Sequence, residues 1–394
     1  GIRDGVKAVN AGVDIEMPFK WRMKARKLVK YVQKGKISEE QVDEAVLRIL
    51  RQKLRFNRER DPNLYSEEKV ACQEHQDLAL EAARKSMVLL KNEGNILPLD
   101  VNALDRIAVI GKLADTGNLG DKGSSRVYPP HVITPLQGIK DAVGPNVKIT
   151  HEEGEDLEQV EKIVSNSDVT IIVVGYTFKD EGEYVFSKGG DRDSLRLRKE
   201  DEKLIKTAAK HGEKVVVVLE GSSAIIMEEW RKQVPGILMA WYPGMEGGTA
   251  LAGILFGEYN PCGKLPFVIP KSQDQLPYFD KDVKSIRYGY YHGYRLMDKE
   301  NYEPAFPFGF GLSYNNYTYS NLRLNSESIK DDGTLEAKID VSNEGERTGE
   351  EIVQLYISHE NSSVDRPPKE LKAFTKVSLE PGETETAVLK VKAE

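Results

Sequence analysis

The residues best placed to do chemistry are carboxylates. Asp180-Glu181-Gly182-Glu183-Tyr184 is followed closely by Gly189-Gly190-Asp191-Arg192-Asp193, which gathers five acidic side chains in one glycine-punctuated stretch. A carboxyl group whose pKa is raised toward 6 by a partly apolar setting can serve as a general acid. A solvated charged loop is the alternative reading, because charge runs usually face water. Glycine alternating with acid is nevertheless more than solubility requires.

Other constellations are weaker. Gly117-Asn118-Leu119-Gly120-Asp121-Lys122-Gly123-Ser124-Ser125-Arg126 is glycine-rich, but it satisfies neither G-x-G-x-x-G nor G-x-x-x-x-G-K-[ST], so a nucleotide cradle is not expected. Its polar and cationic residues could line a cleft; an irregular loop is the plain alternative. The six histidines, at 75, 131, 151, 211, 292 and 359, include no pair at i, i+4, and no metal site is expected. Gly221-Ser222-Ser223 lacks the G-x-S-x-G of an esterase elbow, and its serines read as caps of a following helix. Cys72 and Cys262 are too isolated to signal zinc or a disulfide framework. No cofactor is expected.

These residues need elements to hold them. Near-continuous apolar runs at 106–110, 169–174, 214–219 and 236–241 predict buried strands, with helices at 134–143, 157–166, 199–211 and 223–233 between them. Such alternation predicts a mostly parallel sheet with right-handed crossovers, whose functional loops lie beyond the carboxyl ends of the strands. The acidic stretch follows one of those strands. Upstream, Val13-Asp14-Ile15-Glu16-Met17-Pro18 alternates like a strand that stops at proline, and Ser38 with Gln41 opens a helix as a capping box. One strand and one helix make no core, so this piece must pack on something else. Helical periodicity runs from Leu78 to Leu90. Toward the end, Leu335, Ala337, Ile339 and Val341, then Val353, Leu355 and Ile357, alternate with polar residues, which predicts a small antiparallel sandwich one or two strands short.

The boundaries read as 1–57, a linker at 58–75, an α/β domain at 76–275, a Tyr- and Gly-rich connector at 276–316, and a sandwich at 317–394. A length of 394 residues is enough for several cores, and 39% hydrophobic with 30% charged residues describes a globular chain. The net charge of −7 disfavours nucleic acid as a partner. No apolar run reaches the roughly 18 residues of a membrane helix, so no membrane partner is expected. The chain starts at Gly1 without Met or an apolar secretory stretch, so any targeting segment is expected to be absent or never to have been part of this chain.

Six motifs, in order along nearly the whole chain, carry a resemblance: Ala11-Gly12-Val13-Asp14-Ile15-Glu16-Met17-Pro18; Ala83-Arg84-Lys85-Ser86-Met87-Val88-Leu89-Leu90-Lys91-Asn92 with Leu97-Pro98-Leu99; the loop from Glu181 to Arg192; Trp241-Tyr242-Pro243-Gly244-Met245-Glu246-Gly247-Gly248; Gly257-Glu258-Tyr259-Asn260-Pro261-Cys262-Gly263-Lys264-Leu265-Pro266; and Pro307-Phe308-Gly309-Phe310-Gly311-Leu312-Ser313-Tyr314. With these the chain resembles glycoside hydrolase family 3, the β-glucosidase and β-xylosidase group.

The resemblance implies the last strand and helix of a (β/α)8 barrel in residues 1–57, then an α/β sandwich, then a fibronectin type III-like β-sandwich. It implies hydrolysis of terminal β-linked sugars, here most simply β-D-glucosyl residues, with retention by a two-carboxylate mechanism. Glu183, after Gly182 and before Gly190-Asp191-Arg192, fits the family's acid/base, with Glu181 the runner-up. The family's nucleophile, an Asp in a Ser-Asp-aromatic motif, belongs just before residue 1; Asp4 and Asp14 lie downstream of it and are not substitutes. The chain is therefore expected to need a barrel segment or second chain as partner and to be inactive alone. Tyr184, Phe186, Tyr128 and Arg126 are expected to contact a β-linked oligosaccharide or glycoside. A rival reading is a non-catalytic carbohydrate-binding or assembly module.

Overall fold

The computed structural model describes residues 2–58, 66–183, 192–280 and 282–393. The chain forms two compact units, Gly1–Cys72 and Gln73–Glu394.

The first unit holds α1 (Gly5–Asn10), α2 (Ala25–Gln33) and α3 (Glu39–Arg58). Asp4 caps α1 by accepting the amides of Val6 and Lys7 at 2.9 and 3.1 Å. The capping box expected at α3 forms in both directions: the Ser38 amide donates to Gln41 Oε1 at 2.9 Å and the Gln41 amide donates to Ser38 Oγ at 3.1 Å. Residues 13–18, expected as a strand, have no ladder, because no other strand exists among the described residues of this unit. The alternation has another use. Glu16, 8% exposed, accepts the amides of Arg22 and Met23, and Asp14 pairs with Arg48 at 2.8 Å, while Val13, Ile15 and Met17 are exposed.

The second unit begins with α4 (Gln73–Ser86) and β1 (Val88–Asn92). The helical period expected to continue to Leu90 stops at Ser86, and the apolar run after it is a strand. β2 (Arg106–Ile110), α5 (Pro135–Val143), β3 (Lys148–Glu152), α6 (Leu157–Ser165), β4 (Val169–Gly175), the short α7 (Phe178–Glu181), α8 (Lys199–His211), β5 (Val215–Glu220), β6 (Gly236–Met239) and α9 (Gly247–Leu255) follow. The sheet order is β1-β6-β5-β4-β2-β3, parallel except for β1 against β6. β4 and β5 are buried along their whole length. Alternate residues feed two cores: Ile172 and Val174 pack on the side of α6 and α8, Ile171 and Val173 on the side of α5 and α9.

The helix expected at 223–233 does not form; only a short 3-10 turn occurs at Arg231–Gln233. The Ile226 amide donates to Leu195 O at 2.8 Å, which takes this backbone out of any i→i−4 ladder. Ser222 and Ser223 therefore cap no helix.

The connector carries α10 (Gly293–Glu300) and leads to β7 (Tyr317–Leu324), β8 (Thr334–Asn343), β9 (Gly349–Ile357), β10 (Glu370–Leu379) and β11 (Thr384–Lys392). These form a β11-β8-β7 sheet and a β10-β9 sheet around Val341, Val353, Val377, Leu379, Ala387 and Leu389. The fold is thus an α/β domain with a mostly parallel sheet followed by an antiparallel sandwich, as the sequence pattern predicts.

Helices α5 and α9 meet at glycine. A Cβ on Gly138 would lie 2.1 Å from Gly248 O, a contact no side chain tolerates. Gly138→Ala should lower the stability of this unit by about 1–3 kcal/mol, the usual result of overpacking, measured as a lowered urea midpoint; an unchanged midpoint would mean that the two helices separate freely.

Candidate active site

The site grows from the carboxyl ends of β2, β4, β5 and β6, on both sides of the switch between β2 and β4 where the strand order reverses. The loop after β4 turns through α7. Its start is fixed by a capping box: the Thr177 amide donates to Asp180 Oδ2 at 2.9 Å and the Lys179 amide to Thr177 Oγ1 at 3.2 Å. Asp180 also pairs with Arg198 at 2.5 Å. Burial raises the Asp180 carboxyl, but the Thr177 amide and Arg198 outweigh it, and the group titrates below its ordinary value.

The two glutamates of this loop have different surroundings. Glu181 is inward: its Oε2 accepts the Ser222 amide and the Tyr242 hydroxyl, each at 2.7 Å, and its Oε1 lies 3.1 Å from Arg192 Nε. Both partners of that pair are more than nine-tenths buried. Arg192 in turn donates to Ser223 Oγ and to Ala224 O and lies over the Tyr176 ring at 4.1 Å. Burial, then the Glu181 contact, pushes the Tyr242 hydroxyl well above its ordinary pKa, so it stays a donor.

Glu183 is outward and exposed. Its carboxylate accepts the Ser124 amide at 3.2 Å and the Ser124 hydroxyl, and its own amide donates to Asp121 Oδ1 at 2.7 Å. Asp121 also accepts from Ser125 Oγ at 2.8 Å. Desolvation opposes the charge on Asp121, but hydrogen bonds from Ser125, Gly123, Glu183 and Lys122 outweigh it and hold the carboxyl below its usual range. The two loops touch so closely that a Cβ on Gly123 would sit 2.2 Å from Glu183 O.

The loop that supplies Ser124 is anchored below. Asn118 Nδ2 donates to Tyr176 O at 2.9 Å and to Glu220 Oε2 at 2.8 Å. Glu220, at the end of β5, is 1% exposed, and burial, countered only by Asn118, pushes its carboxyl up to about 8. Trp241, just beyond β6, holds a left-handed φ of 61°, a strained conformation for a bulky residue, fixed by its Nε1 donating to Ser86 O at 2.8 Å. That turn delivers Tyr242 to Glu181.

Of the residues expected at the site, Glu181 and Glu183 lie on one loop and face different partners. Arg126 and Tyr128 continue from Ser124, with the Arg126 guanidinium 4.4 Å from the centre of an exposed Tyr128 ring. Tyr184 and Phe186 lie outside the described residues. Asn118, Asp121 and Ser124 belong to the glycine-rich stretch whose polar residues the sequence offered as a cleft lining, without a role for each; Tyr242 had a signal only in its motif, and Glu220 had none. A cavity of about 750 Å³ adjoins Glu181 and Arg192 and is bordered by Tyr278, Phe279, Tyr288 and His292 of the connector. Among the described residues no cluster of metal-ligating groups occurs, and no helix is long and apolar enough to cross a membrane.

Two outcomes follow from this geometry. Arg192→Met strands the Glu181 carboxylate and should cost about 3–5 kcal/mol, as breaking a buried pair does, read as a fall in the denaturant midpoint. For Glu220 the folded value of about 8 lies above the ordinary glutamate value of 4.5, so between them the folded chain holds a proton that the unfolded chain has lost. Its contribution is harmless below about pH 4.5 and becomes destabilising as pH rises to about 8. Glu220→Gln should flatten that decline in melting temperature; a slope identical to wild type would assign the titration elsewhere.

Comparison with known proteins gives a consistent set. The Glycosyl hydrolase family 3 C-terminal domain matches residues 87–314, and the Fibronectin type III-like domain matches residues 351–394. The chain is 36% identical over 98% of its length to Thermostable beta-glucosidase B of Acetivibrio thermocellus, covering 51% of that protein. It is 36% identical over 89% of its length to a Beta-xylosidase of Formosa agariphila, covering 50% of that protein. The crystal structure of Beta-D-glucoside glucohydrolase from Trichoderma reesei superposes with a TM-score of 0.89 at 26% identity, over 100% of this chain and 61% of the other. The chain thus spans about half the length of the curated relatives it matches.

Proposed function

Because the chain belongs to the glycosyl hydrolase family 3 C-terminal domain family, we propose that it is the acid/base-bearing portion of a retaining β-glycosidase that releases terminal non-reducing β-D-glucosyl residues. Residues 1–57 are then the end of a (β/α)8 barrel, residues 58–75 a linker, residues 76–275 the α/β sandwich, residues 276–316 a connector and residues 317–394 the fibronectin type III-like domain. The nucleophile comes from barrel polypeptide outside this sequence. The exposed, apolar Val13, Ile15 and Met17 support a packing partner for the first unit.

The observation that carries the reading is the division of labour on the loop after β4. Glu181 is consumed by Arg192, Tyr242 and the Ser222 amide, which suits a residue that holds the loop's shape. Glu183 is exposed and steadied from one side by Ser124 and Asp121, which leaves a carboxyl oxygen for a substrate. In the first step the Glu183 carboxyl gives its proton to the glycosidic oxygen as that C–O bond breaks and the nucleophile's carboxylate bonds to the anomeric carbon. In the second, the Glu183 carboxylate takes a proton from water as the water oxygen displaces the enzyme ester. Tyr184, Phe186, Tyr128 and Arg126 are then the contacts to the leaving group.

With the barrel portion supplied, Glu183→Gln should reduce turnover of cellobiose by about 10²–10⁴-fold, the usual worth of a general acid, and that of a dinitrophenyl β-glucoside far less, since this leaving group needs little protonation. Equal losses on both substrates, or the selective loss in Glu181→Gln instead, would move the role away from Glu183. Sugar binding without turnover in the complemented protein would favour the non-catalytic module.

A further inference from the structure

The loop between β2 and α5 closes on itself before it reaches the site. Its two ends meet at residues 117 and 132, where a Cβ on Gly117 would lie 3.2 Å from Val132 Cγ1. Two residues outside them, Thr134 Oγ1 donates to Asp115 Oδ1 at 3.1 Å. A surface loop of about this length with touching ends is an Ω-loop, a compact form that is frequently functional. Its tip is the turn from Asp121 to Ser125 that holds Glu183.

The two sides of this loop are secured differently. On the outgoing side Asn118 ties it to Tyr176 O and Glu220, and Gly120 lies against the Tyr242 ring, where a Cβ would be 3.1 Å from Cδ2. On the returning side Pro129 and Pro130 fix their own φ angles and stiffen the approach to His131. His131 Nε2 lies 2.5 Å from Glu246 Oε1, and Glu246 Oε2 accepts the Thr249 hydroxyl at 3.1 Å. The Glu246 side chain is 13% exposed, so water competes little for it. It sits immediately before α9, where the unpaired amides of the first turn favour a negative charge. Behind this pair the Ile133 amide donates to Met245 O at 2.8 Å and the Gly248 amide to Ile133 O at 2.9 Å. Between the tip and that root, His131 makes the one side-chain hydrogen bond to another element among the described residues. Tyr242 and Glu246 belong to the same turn after β6, which therefore reaches the acid/base loop twice: directly, through Tyr242 on Glu181, and by way of His131, through the Ω-loop to Ser124 and Glu183.

We propose that His131 and Glu246 are positioning residues for the Glu183 carboxyl, a latch that keeps the Ω-loop tip against it, a role that rests on Glu183 being the acid/base. Neither residue touches the reacting atoms. The Ser124 amide and hydroxyl hold Glu183 Oε2 in place, which fixes where the other carboxyl oxygen points. A tip free to swing loses that aim, and a general acid acts only within hydrogen-bond reach of the oxygen it protonates. A leaving group that needs no proton does not register the loss.

The test compares cellobiose with a dinitrophenyl β-glucoside, the barrel portion being supplied. His131→Ala should lower kcat/KM for cellobiose about 3- to 10-fold, the worth of one net hydrogen bond, and leave the aryl glucoside within about twofold. Glu246→Ala should show the same split, and the double variant no more than either single one, as for two residues acting as a pair. In the full chain by itself, hydrogen exchange of the Ser124 amide should be faster in His131→Ala than in wild type. Leu389→Ala, in the core of the β-sandwich, is the control: it should lower stability and leave the ratio of the two substrates unchanged. Equal losses on both substrates, no loss on cellobiose, additive losses in the double variant or an unchanged Ser124 amide would overturn the latch, while a selective loss in Glu183→Gln keeps the acid/base reading standing; without that selective loss in Glu183→Gln, both fall.

Discussion

The loop site depends on a carboxyl group kept out of water. Glu220 ends a strand buried on both faces, and among the described residues its side chain has no cation beside it; the contact that offsets its burial is with Asn118. A charged carboxylate there would be costly, so the group holds its proton near neutrality. Through Asn118 it fastens the loop after β2 to the ends of β4 and β5. Ser124 and Asp121, six and three residues further on, then reach across to Glu183 from a fixed base.

Two loops of separate origin are thereby made into one surface. Besides the hydrogen bonds of Ser124 and Asp121, the two loops approach backbone to backbone at Gly123 and Glu183, and a larger residue at 123 would push them apart. A third strand end contributes through Trp241, whose strained backbone is tolerated because its indole is hydrogen-bonded to Ser86 O and its ring packs edge-on to Phe267. The strain sets Tyr242 against Glu181, and Glu181 with Arg192 shapes the loop that Glu183 rides on. An inward, paired carboxylate and an outward, half-committed one two residues apart are a consequence of alternating direction around a glycine.

The same principle of fixed polar groups around rings recurs in the connector, where the sequence shows a run of Tyr, Gly and Phe. There the sandwich strand β9 supplies Gln354 and Tyr356, and α10 supplies Tyr294 and Asp298. Neither element has a cleft of its own; a cleft lies where both meet the turn at 304–309, β9 through Gln354 against Gly309 and α10 through Tyr294 against Phe308.

Much was legible in the sequence because local pattern decides it. The strands at β2, β4 and β5 are continuous apolar runs that nothing but a parallel interior accommodates, and Ser38 with Gln41 caps α3 wherever that helix lies. The acidic loop announced itself by composition and motif. Where several elements compete, pattern failed: residues 13–18 alternate like a strand but find no ladder, residues 223–233 have the period of a helix but give an amide to Leu195, and the run ending at Leu90 changes from helix to strand because β6 offers it an edge. Tertiary structure alone chose which glutamate faces inward, because that choice rests on Arg192, Tyr242 and Ser222, which come from 11 to 61 positions away. It alone gave Glu220 its proton, since burial is a property of everything packed around a side chain and of nothing written at that position.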